Sequence, residues 1–262
     1  MSSTVKETSE YDSSHVQQVG EYYDEWHQKY MDVYGDVIQV YRPDSQTNLL
    51  TYLQTSIGLT DGQKIVDAGC GVCAPSVHFA GNLNLKMFGV TISALQVEKA
   101  NALIRENGLE ERVSCIKGDY HLLDELLPLN EHDGVIFLES LGHASNPDMV
   151  INAAAKVIKP GGFIYIKDFY PRETDDSELK ARIAKTMDNI NREYCYNVLD
   201  LNQTLSSLRK AGFAIESIKV FDFESDSSVR TTFESQFGIE VFEGGEFVPA
   251  EWLEIKCQKL FV

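Results

Sequence analysis

The chain has 262 residues, of which 43% are hydrophobic, enough for one sizeable core and more typical of one domain with appendages than of two domains. No run of about eighteen apolar residues occurs, so stable insertion into a membrane is not expected. The 23 basic and 40 acidic residues give a net charge of −17, which argues against a nucleic-acid partner because few cations can displace its counterions.

The N-terminus and the cysteines favour a reducing compartment. The first ten residues have neither a basic start nor an apolar segment, so a cytoplasmic location is expected. The five cysteines are an odd number, which argues against a disulfide framework. Cys70 and Cys73 have Cys-x-x-Cys spacing, but no second pair completes a zinc site, so no metal is expected. A redox pair is the alternative.

Residues 1–60 are predicted to form an N-terminal helical lid or extension before a main domain at residues 61–262. Aromatic and apolar residues recur at helical spacing from His15 to Tyr34. This stripe predicts a helix that packs on the domain, that closes over a cleft and excludes water, or that does both. A second helix is predicted from Pro43 to Ile57.

The stretch Lys64-Ile-Val-Asp-Ala-Gly-Cys-Gly-Val-Cys-Ala-Pro75 predicts a strand, a tight glycine turn and a helix. A β-branched apolar run ending in Asp67 indicates a buried strand. Gly69 and Gly71 let the backbone turn sharply, and Pro75 suits the first turn of a helix. Such a unit places a nucleotide-sized cleft at the carboxyl end of the first strand of an open α/β sheet.

The same spacing bears on which nucleotide is bound. A dinucleotide fingerprint has a third glycine where this chain has Ala74, a replacement that is tolerated and so does not exclude NAD. Asp67, two residues before the first glycine, would repel a pyrophosphate. It suits a ligand that carries a cation or hydroxyl groups.

Asp67-Ala-Gly-Cys-Gly71 after Ile65-Val66 resembles the first motif of class I methyltransferases that use S-adenosylmethionine. The family pattern usually has a glycine at the position of Cys73, and this chain departs from it there. The resemblance implies an α/β, Rossmann-like fold: a seven-stranded, mostly parallel sheet with an antiparallel last strand and helices on both faces. It implies cofactor contacts at Asp67, Gly69, Cys70 and Gly71. A turn of another α/β protein is the alternative.

Gly89-Val-Thr-Ile-Ser-Ala-Leu-Gln96, at the end of the predicted second strand, is similar to a Gly-Val-Thr-x-Ser-x-x-Gln motif. That motif marks a branch with cyclopropane-fatty-acid synthases, sterol and tocopherol methyltransferases and geranyl-diphosphate C-methyltransferases. The resemblance implies cofactor contacts at Thr91, Ile92 and Gln96. Many class I enzymes have an acid where Thr91 stands. Ser93 is expected to be a plain helix cap.

Further cofactor contacts are expected from the third strand and the N-terminal region. Gly118, Asp119 and Tyr120 follow the third strand. The resemblance implies that the Asp119 carboxylate accepts from the amine of adenine and that the Tyr120 ring covers its face. A cap of the following helix, Leu122 to Leu126, is the alternative for Asp119. Tyr22 and Gln39 are candidates because enzymes of the resembling group contact the cofactor from this pre-strand region.

Candidate catalytic residues follow the fourth strand. Glu139 ends an apolar strand, and burial without a partner would raise its pKa and make it a usable base. His143, four residues on, is the second candidate. A cofactor contact without proton transfer is the alternative for Glu139, and a structural loop role is the alternative for His143.

The rest of the chain carries weaker signals. Residues 159–162 predict a turn before a fifth strand at residues 163–168. Residues 170–197 interrupt the alternation of strands and helices, and the resemblance implies that this insertion covers the acceptor pocket. Its expected pocket walls are Met187, Ile190, Tyr194 and Tyr196. The last strand, residues 251–259, is implied to run antiparallel between the fifth and sixth strands.

Together these patterns predict an enzyme that moves a methyl group from S-adenosylmethionine to a small, largely apolar acceptor. C-methylation of a terpenoid or lipid-like molecule and O-methylation of a natural-product hydroxyl are both open. An N-methyltransferase of a small amine, a protein that binds the cofactor without chemistry and a nicotinamide-dependent oxidoreductase are the alternatives. The oligomeric state is open, with a homodimer as one option.

Overall fold

The computed structural model describes residues 11–39, 46–221, 228–241 and 249–261. Seven strands lie in these residues: β1 Lys64–Ala68, β2 Lys86–Thr91, β3 Val113–Lys117, β4 His132–Leu138, β5 Ile158–Pro171, β6 Phe213–Val220 and β7 Ala250–Lys259. The α-helices of the same residues are α1 Ser13–Tyr34, α2 Gln46–Ile57, α3 Ala74–Asn82, α4 Ala94–Glu106, α5 Leu123–Leu126, α6 Pro147–Val157, α7 Ser177–Glu193, α8 Leu201–Lys210 and α9 Ser228–Phe237. Short 3₁₀ helices occupy Tyr120–Leu122 and Leu141–His143.

The strands form one sheet in the order β3-β2-β1-β4-β5-β7-β6. Strands β1 to β5 are parallel, and β7 pairs antiparallel with both β5 and β6. The predicted mostly parallel sheet with an antiparallel last strand is therefore confirmed. The strand order reverses between β1 and β4, and open α/β sheets bind ligands at the carboxyl ends of strands beside such a switch point.

Helices cover both faces of the sheet, because each central strand is apolar on both sides. On one face, Leu53 of α2, Phe79 of α3 and Ile104 of α4 pack in one buried cluster. On the other face, Ile151 of α6 and Leu208 of α8 pack in a second. A sheet buried on both faces reads as continuous apolar runs, which is the pattern seen in β1 and β4.

The fifth strand is longer than predicted. It starts at Ile158, which pairs with His132, and the next pair is Gly134 with Phe163. Residues 159–162, predicted as a turn, therefore bulge out of a continuous strand. Its far end reaches Pro171 because β7 supplies pairing partners up to that residue, a contact that no local pattern encodes.

The other element predictions differ mainly at their ends. The predicted helix Leu122 to Leu126 is split into a 3₁₀ turn and α5. The predicted start of α2 at Pro43 lies outside the described residues. No helix in the described ranges combines the length and apolarity that a membrane span needs.

Candidate active site

A cleft of about 900 Å³, open mouth included, lies at the carboxyl ends of β1 to β4 and under α1. The loops after these strands line it, and α1 contributes Val16, Val19 and Tyr23. Thirteen of the residues predicted from the sequence line the same cleft: Gln39, Asp67, Gly69, Cys70, Gly71, Thr91, Ile92, Gln96, Gly118, Asp119, Tyr120, Glu139 and His143.

The glycine turn forms the floor of the cleft. Gly69 and Gly71 have φ angles of +81° and +55°, a region that favours glycine. A Cβ on Gly69 would lie 2.5 Å from the Cβ of Ser140, so the turn lies directly against the loop after β4. The Ser140 hydroxyl donates to the carbonyl of Ala68 at 2.6 Å, which holds the two loops together.

Asp67 is buried at the end of β1. Its Oδ2 accepts a hydrogen bond from the Ser76 hydroxyl at 2.7 Å. Burial raises the pKa of the Asp67 carboxyl to about 7, and the Ser76 bond offsets only part of that effect. The cleft therefore contains an acid that changes charge near neutral pH.

Hydrogen bonds within the loop after β2, and from this loop to α1, hold it in place. The Thr91 hydroxyl donates to Oε1 of Gln96 at 2.6 Å, and Ser93 caps α4 by accepting from the backbone N–H of Gln96. The Ser93 hydroxyl also donates to Asp24 of α1. The residues of this motif thus fix the loop, and Thr91, Ile92 and Gln96 line the cleft as well.

Asp119 is held by three donors at the end of β3. Its carboxylate accepts from the backbone N–H of His121 at 2.9 Å, from Nδ1 of His121 at 2.6 Å and from the Tyr11 hydroxyl at 2.9 Å. Burial alone would raise the pKa of Asp119, but these bonds together outweigh it and lower the pKa. Asp119 caps the 3₁₀ helix and lines the cleft, so both alternatives from the sequence are compatible.

His121 and Tyr120 complete this wall. His121 is buried, and its Nε2 accepts from the backbone N–H of Asn146 at 3.3 Å. The Tyr120 hydroxyl donates to the carbonyl of Ser140 at 3.0 Å, which places the tyrosine ring beside Gly69. His121 was not predicted as a site residue. The signal that could have identified His121 is its position two residues after Asp119, since an aspartate that caps a turn accepts hydrogen bonds from the residue two positions later.

Glu139 has a buried partner. It forms an ion pair with Lys167 of β5, whose side chain is fully buried. The Lys167 Nζ also donates to Oε1 of Gln39 at 2.8 Å and lies 4.5 Å from the centre of the Phe221 ring. The predicted base role of Glu139 depends on a buried acid without a partner. In the structure the Lys167 ammonium group contacts this carboxylate, so the premise of a buried acid without a partner is wrong.

His143 is the second catalytic candidate, and its tautomer follows from its contacts. Its Nδ1 lies 3.0 Å from the carbonyl of Cys195, which can only accept, so Nδ1 carries the proton. Its Nε2 is then the acceptor for the Tyr23 hydroxyl, 2.8 Å away. Burial lowers the pKa of His143 to about 4, which keeps the imidazole neutral at physiological pH.

Tyr22 and the predicted walls of the insertion do not line this cleft. The ring of Tyr22 stacks on Trp26, and its hydroxyl lies 2.6 Å from that of Tyr30, on the side of α1 away from the cleft wall. Its neighbour Tyr23 takes the predicted place. The insertion residues pack in the same aromatic cluster as α1, as Met187, Ile190, Tyr194 and Tyr196.

One of these residues, Tyr196, contacts His143 of the cleft without lining the cleft itself. Its ring centre lies 4.4 Å from that of His143, and its hydroxyl donates to Asp168 at 2.6 Å. Asp168 is fully buried, and burial raises the pKa of its carboxyl to about 7. The rings of Tyr196 and Tyr23 thus both contact the His143 ring edge to face.

The lining is acidic. Asp36, Asp67, Asp119 and Glu139 line the cleft, and no lysine or arginine of the described ranges does so. Such a surface favours a cationic ligand and disfavours a pyrophosphate. S-adenosylmethionine carries a sulfonium and an ammonium group, so the donor set fits this cofactor.

A doubly wound sheet with β7 antiparallel between β5 and β6, and an acidic cleft behind a glycine turn, define a class I methyltransferase fold. Residues 59–225 match the model of a family described as a methyltransferase domain, and the chain belongs to this family. The membership predicted from the motifs is confirmed, and with it the predicted cofactor, S-adenosylmethionine.

Similar proteins support the same assignment. Methyltransferase GfsG of Streptomyces halstedii is 30% identical over 63% of this chain and 62% of its own length. A sterol 24-C-methyltransferase of Aspergillus fumigatus is 24% identical over 63% of this chain and 43% of its own length. The chain thus spans between two fifths and two thirds of the length of these curated relatives. Among solved structures, the [4+2]-cyclase SpnF superposes with a TM-score of 0.73 at 21% identity and covers 94% of this chain and 96% of its own.

Proposed function

We propose that the protein transfers a methyl group from S-adenosylmethionine to a small, largely apolar acceptor. The observation that carries this proposal is the single cleft that joins the glycine turn, the Thr91 motif and the acid after β3 to a neutral histidine. The first three are the parts that class I enzymes use to hold the cofactor. The fourth is a group that can take a proton.

The residues that would hold the cofactor divide by chemistry. Asp67 suits a hydroxyl or cationic group, Asp119 can accept from the amine of adenine, and the Tyr120 ring can cover an aromatic face. Gly69 and Gly71 let a ligand approach the backbone closely. When bound, the cofactor supplies an electrophilic methyl group on sulfur.

We assign proton removal to His143 together with Tyr23. The Tyr23 hydroxyl donates to Nε2 of His143, so its oxygen lone pairs remain to accept a hydrogen bond from an acceptor hydroxyl. In methyl transfer to a hydroxyl acceptor, the proton of that hydroxyl would pass to the Tyr23 oxygen, and the Tyr23 proton would pass to Nε2 of His143. Glu139 becomes a positioning residue that holds Lys167 and Gln39 at the edge of the cleft.

The acceptor is expected to be apolar rather than a diphosphate. The nearest buried cation, Lys167, is already paired with Glu139, and the lining itself has acids. The sterol methyltransferase among the relatives favours an apolar acceptor for this chain too. A cytoplasmic location stays a prediction, which the free cysteines of the described residues favour.

The test is transfer of a labelled methyl group from S-adenosylmethionine to a panel of sterols, prenylated phenols, plain phenols and small amines. We expect product only with apolar acceptors, and His143→Ala should lower kcat about 100-fold to 10,000-fold without loss of S-adenosylhomocysteine binding. His78→Ala, on α3 and outside the cleft, is the matched control and should retain full activity.

Binding of S-adenosylhomocysteine without labelling of any acceptor, in the panel or in a crude metabolite extract, would favour a binding protein without methyl transfer. The cyclase among the structural neighbours makes this outcome worth the measurement. Labelling of amines alone would move the assignment to an N-methyltransferase. Saturable binding of NAD without binding of S-adenosylhomocysteine would contradict both.

A further inference from the structure

Three buried thiols from separate parts of the chain lie together beneath the glycine turn. Cys70 belongs to the turn, Cys73 precedes α3 and Cys115 lies in the middle of β3. Their three sulfur atoms all lie within 4.8 Å of one another, and the Cys70 and Cys115 sulfurs are 3.7 Å apart. All three are free and buried. We call them the thiol triad.

The backbone makes room for this triad. A Cβ on Gly89 of β2 would lie 2.5 Å from the Cys73 sulfur and 2.8 Å from the Cys70 sulfur, so any other residue there would displace them. Cys73 has a φ of +63°, a left-handed conformation that costs a non-glycine residue about 1–2 kcal/mol. The chain accepts strain at the residue that completes the triad, and strain of this kind is a reason to look for a function.

The geometry suits a metal ion with three sulfur ligands. A metal ion in the plane of three sulfur atoms, with bonds of about 2.3 Å, requires those atoms to be about 4 Å apart. This separation lies between the 3.7 Å that separates the Cys70 and Cys115 sulfurs and the 4.8 Å within which all three sulfurs lie. Within the described ranges, no fourth histidine, cysteine or carboxylate ligand joins the group. Structural zinc sites are four-coordinate, so a three-sulfur set fits zinc poorly.

The site is also buried, which limits the charge that it can carry. Net charge in a dry interior is unfavourable, and a monovalent ion needs only one thiolate for a neutral complex, with the other two sulfurs as neutral donors. Thiol and thiolate sulfur are soft donors that select soft ions such as Cu(I). We propose that Cys70, Cys73 and Cys115 form a binding site for a soft monovalent metal ion of the Cu(I) class.

This inference does not depend on methyl transfer, because Cys73 and Cys115 do not line the cleft and Cys70 joins them through its buried sulfur. The test uses the full-length, reduced protein without oxygen, titrated with Cu(I) against a coloured Cu(I) chelator. We expect the protein to withhold one equivalent of Cu(I), with three sulfur neighbours in the X-ray absorption spectrum. Zinc should not be retained at the same site.

Matched variants distinguish the triad from other thiols. Cys115→Ala should lower the affinity for Cu(I) by about 100-fold or more, because one of three ligands is lost. Cys257→Ala is the control, since Cys257 is equally buried but lies in β7 outside the triad, and its affinity should match that of the wild type. If Cys115→Ala does not fold, Cys115→Ser replaces it at nearly the same volume, and circular dichroism checks each variant.

The proposal is overturned if the wild type withholds no Cu(I), or if Cys115→Ala and Cys257→Ala lose the same affinity. It is equally overturned if Zn²⁺ binds the triad as tightly as Cu(I). None of these three results would bear on the methyltransferase activity, which the labelling experiment measures separately.

Discussion

Asp67 is the residue whose charge state couples the cleft to pH. Its carboxyl is protonated in the free protein below a pKa of about 7, because burial disfavours the charge. A cationic cofactor favours the ionised form and must displace that proton. Affinity for S-adenosylmethionine should therefore rise as the pH rises through 7. Asp119 and His143 line the same cleft, and their surroundings lower the pKa of each, so neither group changes charge in this range.

We expect the affinity for S-adenosylmethionine, measured by calorimetry, to increase between pH 6 and pH 7.5, with proton release that depends on the buffer. Asp67→Asn should bind more weakly at pH 7.5 and should show no such increase. The upper limit of pH 7.5 avoids the titration of the amino group of the cofactor, whose pKa is expected near 8. A wild-type affinity that is flat across this range would contradict the role given to Asp67.

Individual side chains also mark what the sequence alone could not supply. Helical spacing predicts that α1 presents an aromatic stripe, but not whether Tyr22 or Tyr23 faces the cleft. The rotation of the helix is set by packing of Trp26 and Tyr30 on Phe233 of α9, about 200 residues away in the chain. Tyr22 therefore faces that cluster, and Tyr23 faces His143.

At the scale of elements, local chemistry was sufficient for the strand, glycine turn and helix, whereas the cleft residues after β1 to β3 were identified through the resemblance to class I methyltransferases. The partner of Glu139 did not follow, because Lys167 is brought to it only by the pairing of β5 with β4. Cys115 is a similar case. It joins Cys70 and Cys73 through β2 and β3, so the sequence offered a pair where the fold has a triad.

The glycine turn itself gives a prediction with a matched control. Gly69→Ala would place a methyl group 2.5 Å from the Ser140 Cβ at a φ of +81°, whereas Gly62 has a φ of +86° and nothing within 4 Å of the same position. Gly62→Ala should cost about 1 kcal/mol, from backbone strain alone. Gly69→Ala adds overpacking and should cost about 3 kcal/mol.

Urea denaturation of the two variants measures the difference. Ser140 cannot move aside without losing its hydrogen bond to Ala68, which is why the overlap is expected to persist. Equal losses of unfolding free energy in the two variants would mean that the loop after β4 yields easily. The contact between the two loops would then not shape the cleft.

At the scale of the whole molecule, the described part of residues 1–60 contains two helices with different attachments. Leu49, Leu50, Leu53 and Ile57 of α2 are buried in the main core beside β1. Helix α1 packs instead on the aromatic cluster of α7 and α9 and on α4, and its cleft face meets the loops after β1 to β4. Residues 1–60 are proposed as an N-terminal lid or extension. These attachments predict that only α1 can detach as a lid, and that α2 unfolds together with the sheet domain.

Trp26 lies in α1 and Trp252 in β7, so removing one tryptophan at a time leaves the fluorescent probe in a different element. In Trp252→Phe, where Trp26 is the remaining probe, fluorescence should change at a lower urea concentration than far-ultraviolet circular dichroism. In Trp26→Phe the two signals should coincide. Saturating S-adenosylhomocysteine should bring the Trp26 transition up to the global one, because a ligand that contacts both α1 and the glycine turn binds only when α1 is closed. Coincident transitions in Trp252→Phe without ligand would instead mean that α1 is an integral helix of the domain and that the cofactor enters without its release.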